Sequence, residues 1–379
     1  MSRPTPSEPR PGPVDGRLRT LVPLLVGFGL VMVYSASSVL SFIHHGTSTH
    51  YFTGQLLKAG IGIVAMLVVA RVDYRAWRLL AKPLLWGSLV LLAVLVIPVA
   101  RGWTAEINGA RRWIVLPGFS FQPLEVAKLA LVAWMAATIV RKREKLDSPL
   151  DGLVPLVVVP SAMAFLLLIQ PDFKGAALIL LTAWTLLLLG GVRWRWLLGL
   201  SAAAVPAVGF ALVIEPYRMR RLMAYLRPEQ DVQGISYQIH QSLISLGSGG
   251  WFGVGLGSSK QKFAFLPAAH NDFIFSIVGE ELGLLGTLAL LAAFLYLGWV
   301  GFRIARRAPD GFGFLLASGV TFLLVTAALV NVGVATATLP TTGLALPFIS
   351  YGGTALIVQL VCVGILMSVS RYATEDRER

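Results

Sequence analysis

A succession of long apolar stretches constrains this chain more than any other feature. About 20 apolar residues cross the hydrocarbon core of a bilayer as a helix. On that template the 379 residues hold ten spans, at 21–42, 53–70, 84–100, 123–140, 152–170, 174–191, 196–215, 272–300, 312–334 and 353–370. Inside lipid every backbone N–H and C=O must be satisfied within the segment, so the spans are read as helices. The expected fold class is all-α, a polytopic membrane protein of about ten transmembrane helices with a long outer loop, about 216–271, between helices seven and eight. A tail at 1–20, one transmembrane domain at 21–371 and a tail at 372–379 complete the expected organisation. A mean hydropathy of +0.73 with 13% charged residues agrees, being more apolar than a soluble core requires. No small-residue cleavage site follows the first span, which is read as a retained helix.

Charge sets the orientation. An even number of spans puts both termini on one side. Short runs of Lys and Arg mark that side: Arg3, Arg10, Arg17 and Arg19; Arg71, Arg75, Arg78 and Lys82; the RKREK run beginning at Arg141; Arg193 and Arg195; Arg303, Arg306 and Arg307; and Arg371, Arg377 and Arg379. The positive-inside rule makes it cytoplasmic. The net charge of +13 therefore speaks of topology and not of nucleic acid, since the cations form no single stripe with interleaved aromatics. The single cysteine, Cys362, excludes an intramolecular disulfide and a zinc ligand set.

A second set of cations falls near the outer face: Arg101, Arg111, Arg112, Lys128, Lys174, Arg218, Arg220, Arg221, Arg227, Lys260 and Lys262. Orientation gives no reason for them there. Together they point to an anionic partner such as a lipid diphosphate, though individually they also read as solvated charges. Glu125 and Lys128 lie three residues apart on one helix face, as an internal ion pair or as a phosphate contact with its orienting carboxylate. QPDFK, with Asp172 and Lys174, repeats the grouping at the outer junction of spans five and six. The adjacent Arg111 and Arg112 beside Trp113 fit interfacial anchoring or diphosphate clamping. Between spans nine and ten, TATLPTTGLALPFISYGG breaks any helix at the outer boundary, where irregular backbone lines a cavity or is buried in protein; Ser350 and Tyr351 offer hydroxyls there. GSGGWFGVGLGSSK lacks the ending of a phosphate-binding P-loop, and its glycines are read as permitting tight turns near helices.

Asp272 stands where a polar segment runs into span eight, flanked by His270 and Asn271. It reads either as a helix N-cap or as a general base at the mouth of an outer cavity. Glu280 and Glu281 follow about 12 to 14 Å deeper along the helix and point roughly 100° apart, so at least one is expected to be structural, with a buried partner.

MVYSAS, NGARRWI with QPLEVAK, the run from YQIHQSLISLG through HNDFIFSIVGEELG, and LPTTGLALPFISYGG together resemble the SEDS family (shape, elongation, division, sporulation), the FtsW form more than the RodA form. The resemblance extends over nearly the whole chain after residue 20. It implies a peptidoglycan glycosyltransferase that polymerises lipid II at the outer face of the bacterial cytoplasmic membrane, working with a class B penicillin-binding protein, with other divisome or elongasome membrane proteins and with membrane lipid around it. Asp272 then matches the family's essential aspartate, Lys128 and Glu125 its charged pair, and Arg111 and Arg112 its arginines; His270, Lys262 and Ser350 are further expected substrate contacts. The expected chemistry is inverting, with Asp272 taking the proton of the acceptor hydroxyl while Lys128 and Arg111 stabilise the leaving diphosphate. No resident cofactor is required, and a divalent cation (Mg or Mn) remains compatible. Leu124 and Ala268 depart from the family pattern, which usually has Ser and Glu there. A lipid II flippase, a non-catalytic scaffold for division proteins and a RodA-like polymerase of elongation are the rival readings.

Overall fold

The computed structural model describes residues 11–97, 104–107, 110–116, 119–227, 234, 236–263, 265–267 and 269–373. Arg3, Arg10, Arg101, Ala268, Arg377 and Arg379 lie outside them. The described chain is helical, with α1 Gly16–His45, α2 His50–Arg71, α3 Ala76–Val94, α4 Pro123–Arg141, α5 Val154–Ile169, α6 Phe173–Leu189, α7 Trp194–Ile214, α8 Pro216–Leu226, α9 Tyr237–Ser248, α10 Ile274–Arg306, α11 Gly311–Ala335 and α12 Gly353–Arg371. Among the described residues nine helical segments are long and apolar enough to cross a membrane; α6, with 17 residues, is the shorter tenth. The chain is thus an all-α, multi-pass membrane protein, and α8 and α9 occupy the long loop.

Two helix starts differ from the sequence expectation. Asp15 accepts a hydrogen bond from the Arg17 N–H and starts α1 at Gly16. α3 starts at Ala76, eight residues earlier than span three, because Arg78 and Lys82 sit in its first turns and not in a loop. Hydropathy undercounts such turns, since a helix leaving the membrane carries its cations with it.

One end of the bundle is tied by polar contacts among chain-distant segments. Asp15 pairs with Arg303, Tyr74 donates to Asp310 at 2.7 Å, and the Arg371 guanidinium donates to the carbonyls of Ala70 and Arg71. At the other end a three-stranded antiparallel sheet, β1 Thr104–Ile107, β2 Ala110–Leu116 and β3 Phe119–Phe121, feeds into α4. α4 and α12 form the interior of the bundle, whereas α7 is almost wholly exposed.

α10 is broken. Gly283 has φ 70° and ψ −167°, so the 33-residue helix is two pieces with a kink between them. The glycine-rich turn after α9 fills the break: Val254 and Gly255 N–H donate to the carbonyls of Glu280 and Glu281, while Leu284 and Leu285 N–H donate to those of Gly250 and Trp251. Backbone meets backbone here. A Cβ on Gly249 would stand 1.9 Å from the Gly279 carbonyl oxygen, which is why the run is glycine.

Candidate active site

The segment between α11 and α12 is non-helical, and its carbonyls are satisfied one by one from side chains. Tyr225 donates to Thr338 O, Arg221 to Thr341 O, Lys174 to Gly343 O, Asn331 to Leu344 O and Gln55 to Ser350 O. Gln359 accepts from the Phe348 N–H. Gly29 of α1 lets the segment lie close, since a Cβ there would fall 2.2 Å from the Phe348 carbonyl oxygen.

This segment holds the tripeptide that carries Asp272. Tyr351 N–H donates to His270 O at 2.9 Å, Ser350 Oγ to Asn271 O at 2.5 Å, and Asn331 Nδ2 to Asp272 O at 2.9 Å. Three successive carbonyls are thereby fixed by three donors. The Asp272 carboxylate is left free: it is half-buried and makes no hydrogen bond or ion pair among the described residues. It is not the cap of α10, whose N-cap is Phe273.

Lys174 is the cation beside it. The point that a Cβ on Gly343 would occupy lies 3.0 Å from Asp272 Oδ2 and 3.3 Å from Lys174 Nζ, and Gly343 has φ +69°. One turn earlier, Asp172 caps α6 through the Gly175 N–H. Asp172 Oδ2 lies 4.0 Å from Arg112 Nε, and Arg112 also donates to Pro171 O. Asp272, the α6 N-terminus and β2 are therefore contiguous. Arg111 lies on β2, with Glu106 as its strand partner.

At the adjoining end of α4, Lys128 Nζ is 2.9 Å from Glu125 Oε1, and both side chains are nearly buried. α4 joins the wall through Gln122 N–H to Thr354 Oγ1, whose hydroxyl donates to Ser120 O on β3. Leu124 packs toward Gly175, whose Cβ position is 2.8 Å from its Cδ2. In this corner Asn271 Oδ1, Thr342 Oγ1 and Asn331 Oδ1 are buried without a hydrogen bond among the described residues, while Asp172 Oδ2 and Arg112 Nε are buried and meet each other at 4.0 Å as an ion pair without a hydrogen bond.

Three expected substrate contacts are reassigned by the geometry. Ser350 Oγ both donates to Asn271 O and accepts from Leu346 N–H, so its hydroxyl belongs to the frame. Lys262 is 8% exposed, bonds to Gly257 O and lies 3.8 Å from Glu281 Oε1. His270 is packed between Tyr51 and Tyr351, with ring centroids 5.1 and 5.8 Å away. Burial pulls its pKa down to about 4, so it is neutral near pH 7 and no counter-ion for phosphate.

That burial has a sign. The His270 ring, at 6.5 when unperturbed, takes up protons more readily when unfolded, so its contribution is complete above about pH 6.5 and is lost as pH falls toward 4. Wild-type protein should lose roughly 3 kcal/mol through this window. His270→Asn should flatten that acid limb in thermal melts recorded from pH 7 to 4.

Both deep glutamates are structural. Glu281 accepts from Ser35 of α1 at 2.6 and 2.8 Å and from the Ser259 N–H. Glu280 accepts from Ser245 and Ser259 hydroxyls and from the Lys260 N–H. Together they bind α1, α9 and the loop to the outer piece of α10. The expected buried partner exists, and both carboxylates are occupied.

A family model for FtsW/RodA/SpoVE cell cycle proteins matches residues 17–375. The chain belongs to this family. As a member of the FtsW/RodA/SpoVE family it is 44% identical over 353 residues to a probable peptidoglycan glycosyltransferase FtsW of Trichlorobacter lovleyi, covering 93% of this chain and 92% of that one. It is 39% identical over 350 residues to stage V sporulation protein E of Bacillus subtilis, covering 92% and 95%. Its structure resembles that of the rod shape determining protein RodA of Thermus thermophilus, with a TM-score of 0.67, 30% identity and 96% and 98% of the two chains covered. A chain from work on the structural coordination of polymerization and crosslinking by a peptidoglycan synthase complex gives a TM-score of 0.77 at 29% identity, covering 94% and 98%.

The FtsW/RodA/SpoVE geometry also contains residues that sequence reasoning left out of the site. Lys174 had its signal, a cation at an outer helix end, but its place near Asp272 is set by its bond to Gly343 O, 169 residues away in the chain. Asn331 and Gln55, single amides in otherwise apolar spans, hold the frame. A lone amide in a membrane helix is itself a pointer to an internal partner.

Proposed function

We propose that this chain is a peptidoglycan glycosyltransferase that polymerises lipid II, with Asp272 as general base. The observation that carries the reading is the fixed tripeptide: three pinned carbonyls leave one free carboxylate beside a lysine. The acceptor 4-hydroxyl gives its proton to Asp272 as its oxygen attacks the donor's anomeric carbon. The bond from that carbon to the diphosphate breaks, and the product has inverted configuration. Lys174, Lys128, Arg111 and Arg112 supply cations for the departing diphosphate. The buried Asn271 Oδ1 and Thr342 Oγ1, without a hydrogen bond among the described residues, support a polar substrate here, since buried groups without partners cost about 1–3 kcal/mol each.

The chain sits in the bacterial cytoplasmic membrane with both termini cytoplasmic, as its basic end favours, and the site faces outward. A class B penicillin-binding protein is the proposed partner, in keeping with the synthase complex whose chain it resembles. The FtsW names of several relatives favour division over elongation. Among the described residues no three His, Cys, Asp or Glu side chains gather, so a divalent cation at this site would be held by the diphosphate itself with one or two carboxylates. A flippase would place its ionisable groups near the midplane; here they collect at one end of the bundle. Lipid II incubated with the purified complex in detergent, where no leaflets exist, should yield glycan strands on gels. Absence of polymer in a complex whose partner still crosslinks would refute the assignment.

A further inference from the structure

The cytoplasmic end of the bundle has a second charged cavity, remote from Asp272. It encloses about 310 Å³ between the first turns of α3 and the last turns of α4. Arg78 and Lys82 from α3 and Arg141 from α4 line it, over a floor that includes Leu79, Trp134 and Thr138. The positive-inside rule asks for cations on this face but not for their convergence. Several neighbouring cations on the same face are matched, and among the described residues no other cation lines this cavity with these three. Arg75 lies 3.7 Å from both Asp73 and Asp310, Arg193 lies 2.6 Å from Asp147, Arg303 pairs with Asp15, and Arg371 is bonded to two carbonyls. Among the described residues Arg78, Lys82 and Arg141 form no side-chain hydrogen bond or ion pair, and no carboxylate lines the cavity.

The wall beyond the cavity is apolar. Leu79, Leu80, Trp86 and Val90 of α3 are exposed, a surface that meets acyl chains in a bilayer. Three unmatched cations above an acyl-facing wall complement one class of molecule, a phosphate headgroup with its own chains. We propose that this cavity binds the headgroup phosphate of an anionic phospholipid of the cytoplasmic leaflet, with the acyl chains lying along α3. The bound lipid clamps α3 to α4. Within α3 Ala81, Leu85, Ser88 and Leu92 are buried and the helix packs mainly on α4, and α4 carries Glu125 and Lys128 at its far end. The proposal uses the orientation given above and is independent of the reaction.

Native mass spectrometry of the full chain, released from neutral detergent in equal mixtures of phosphatidylglycerol and phosphatidylcholine with the same acyl chains, tests it. One phosphatidylglycerol should be retained in preference. Each of Arg78→Gln, Lys82→Gln and Arg141→Gln should lower that preference about fivefold, and the three together about a hundredfold. Arg195→Gln, an exposed cation on the same face, should leave it unchanged. Undiminished preference in the single and triple variants overturns the proposal. So does displacement of phosphatidylglycerol by equimolar undecaprenyl diphosphate, which would give the cavity to a lipid-linked diphosphate. Labelling of a cysteine added at the C-terminus reads the orientation separately, so a reversed chain and an absent lipid site give different results.

Discussion

Asp272→Asn should leave the protein folded and remove polymer formation. The carboxamide has the shape of the carboxylate and nothing to take a proton with. Folding is untouched because what holds residue 272 is its carbonyl, bonded to Asn331, and the carbonyls of the two residues before it. The free carboxylate has no internal partner to lose. General-base catalysis contributes about 10²–10⁴ in rate, so lipid II turnover in the purified complex should fall by at least about a hundredfold. The melting temperature should stay within about 2 °C of wild type, consistent with a change of under ~0.5 kcal/mol at a site without structural partners. Polymerisation near the wild-type rate would move the base elsewhere.

Gly283→Ala should be strongly destabilising. The residue sits at positive φ in a region essentially reserved for glycine, which alone costs about 1–3 kcal/mol for other residues. A Cβ would also stand 2.4 Å from Gly253 N and 2.6 Å from Phe252 N, and those atoms belong to the backbone that pairs across the break. Nothing flexible is available to yield. The expected result is loss of several kcal/mol in all, read as a large drop in melting temperature or failure to accumulate in the membrane. A variant that melts like wild type would mean that the break is not required.

How much of this was legible in the sequence depended on the distance over which the relevant physics acts. Transmembrane spans are local, and hydropathy located all ten. Their ends were less visible where, as at Arg78 and Lys82, a helix continues past the membrane with charged residues. α8 and α9 fall within the long loop expected over about 216–271, where 11 and 12 residues give too little periodicity to fix a helix. The glycines of GSGGWFGVG were read as permitting tight turns near helices, while the backbone they close upon, that of α10 around Gly283, was not visible. That Ser350 spends its hydroxyl on Asn271 O, that Lys262 faces Glu281 and that Ser35 holds Glu281 across 246 residues are tertiary facts. Residue type shows which groups can donate; only packing shows which have already done so.

The break at Gly283 also sets a length. An unbroken 33-residue helix would measure about 50 Å at about 1.5 Å per residue, well beyond the ~30 Å hydrocarbon core. The part after the break, residues 284–306, measures about 35 Å and fits with modest tilt. Residues 274–282 belong instead to the outer cap, moored by serines on α1 and α9. When the bilayer thins or thickens, the inner piece absorbs the mismatch by tilting, and the ledge that carries Asp272 keeps its height above the lipid.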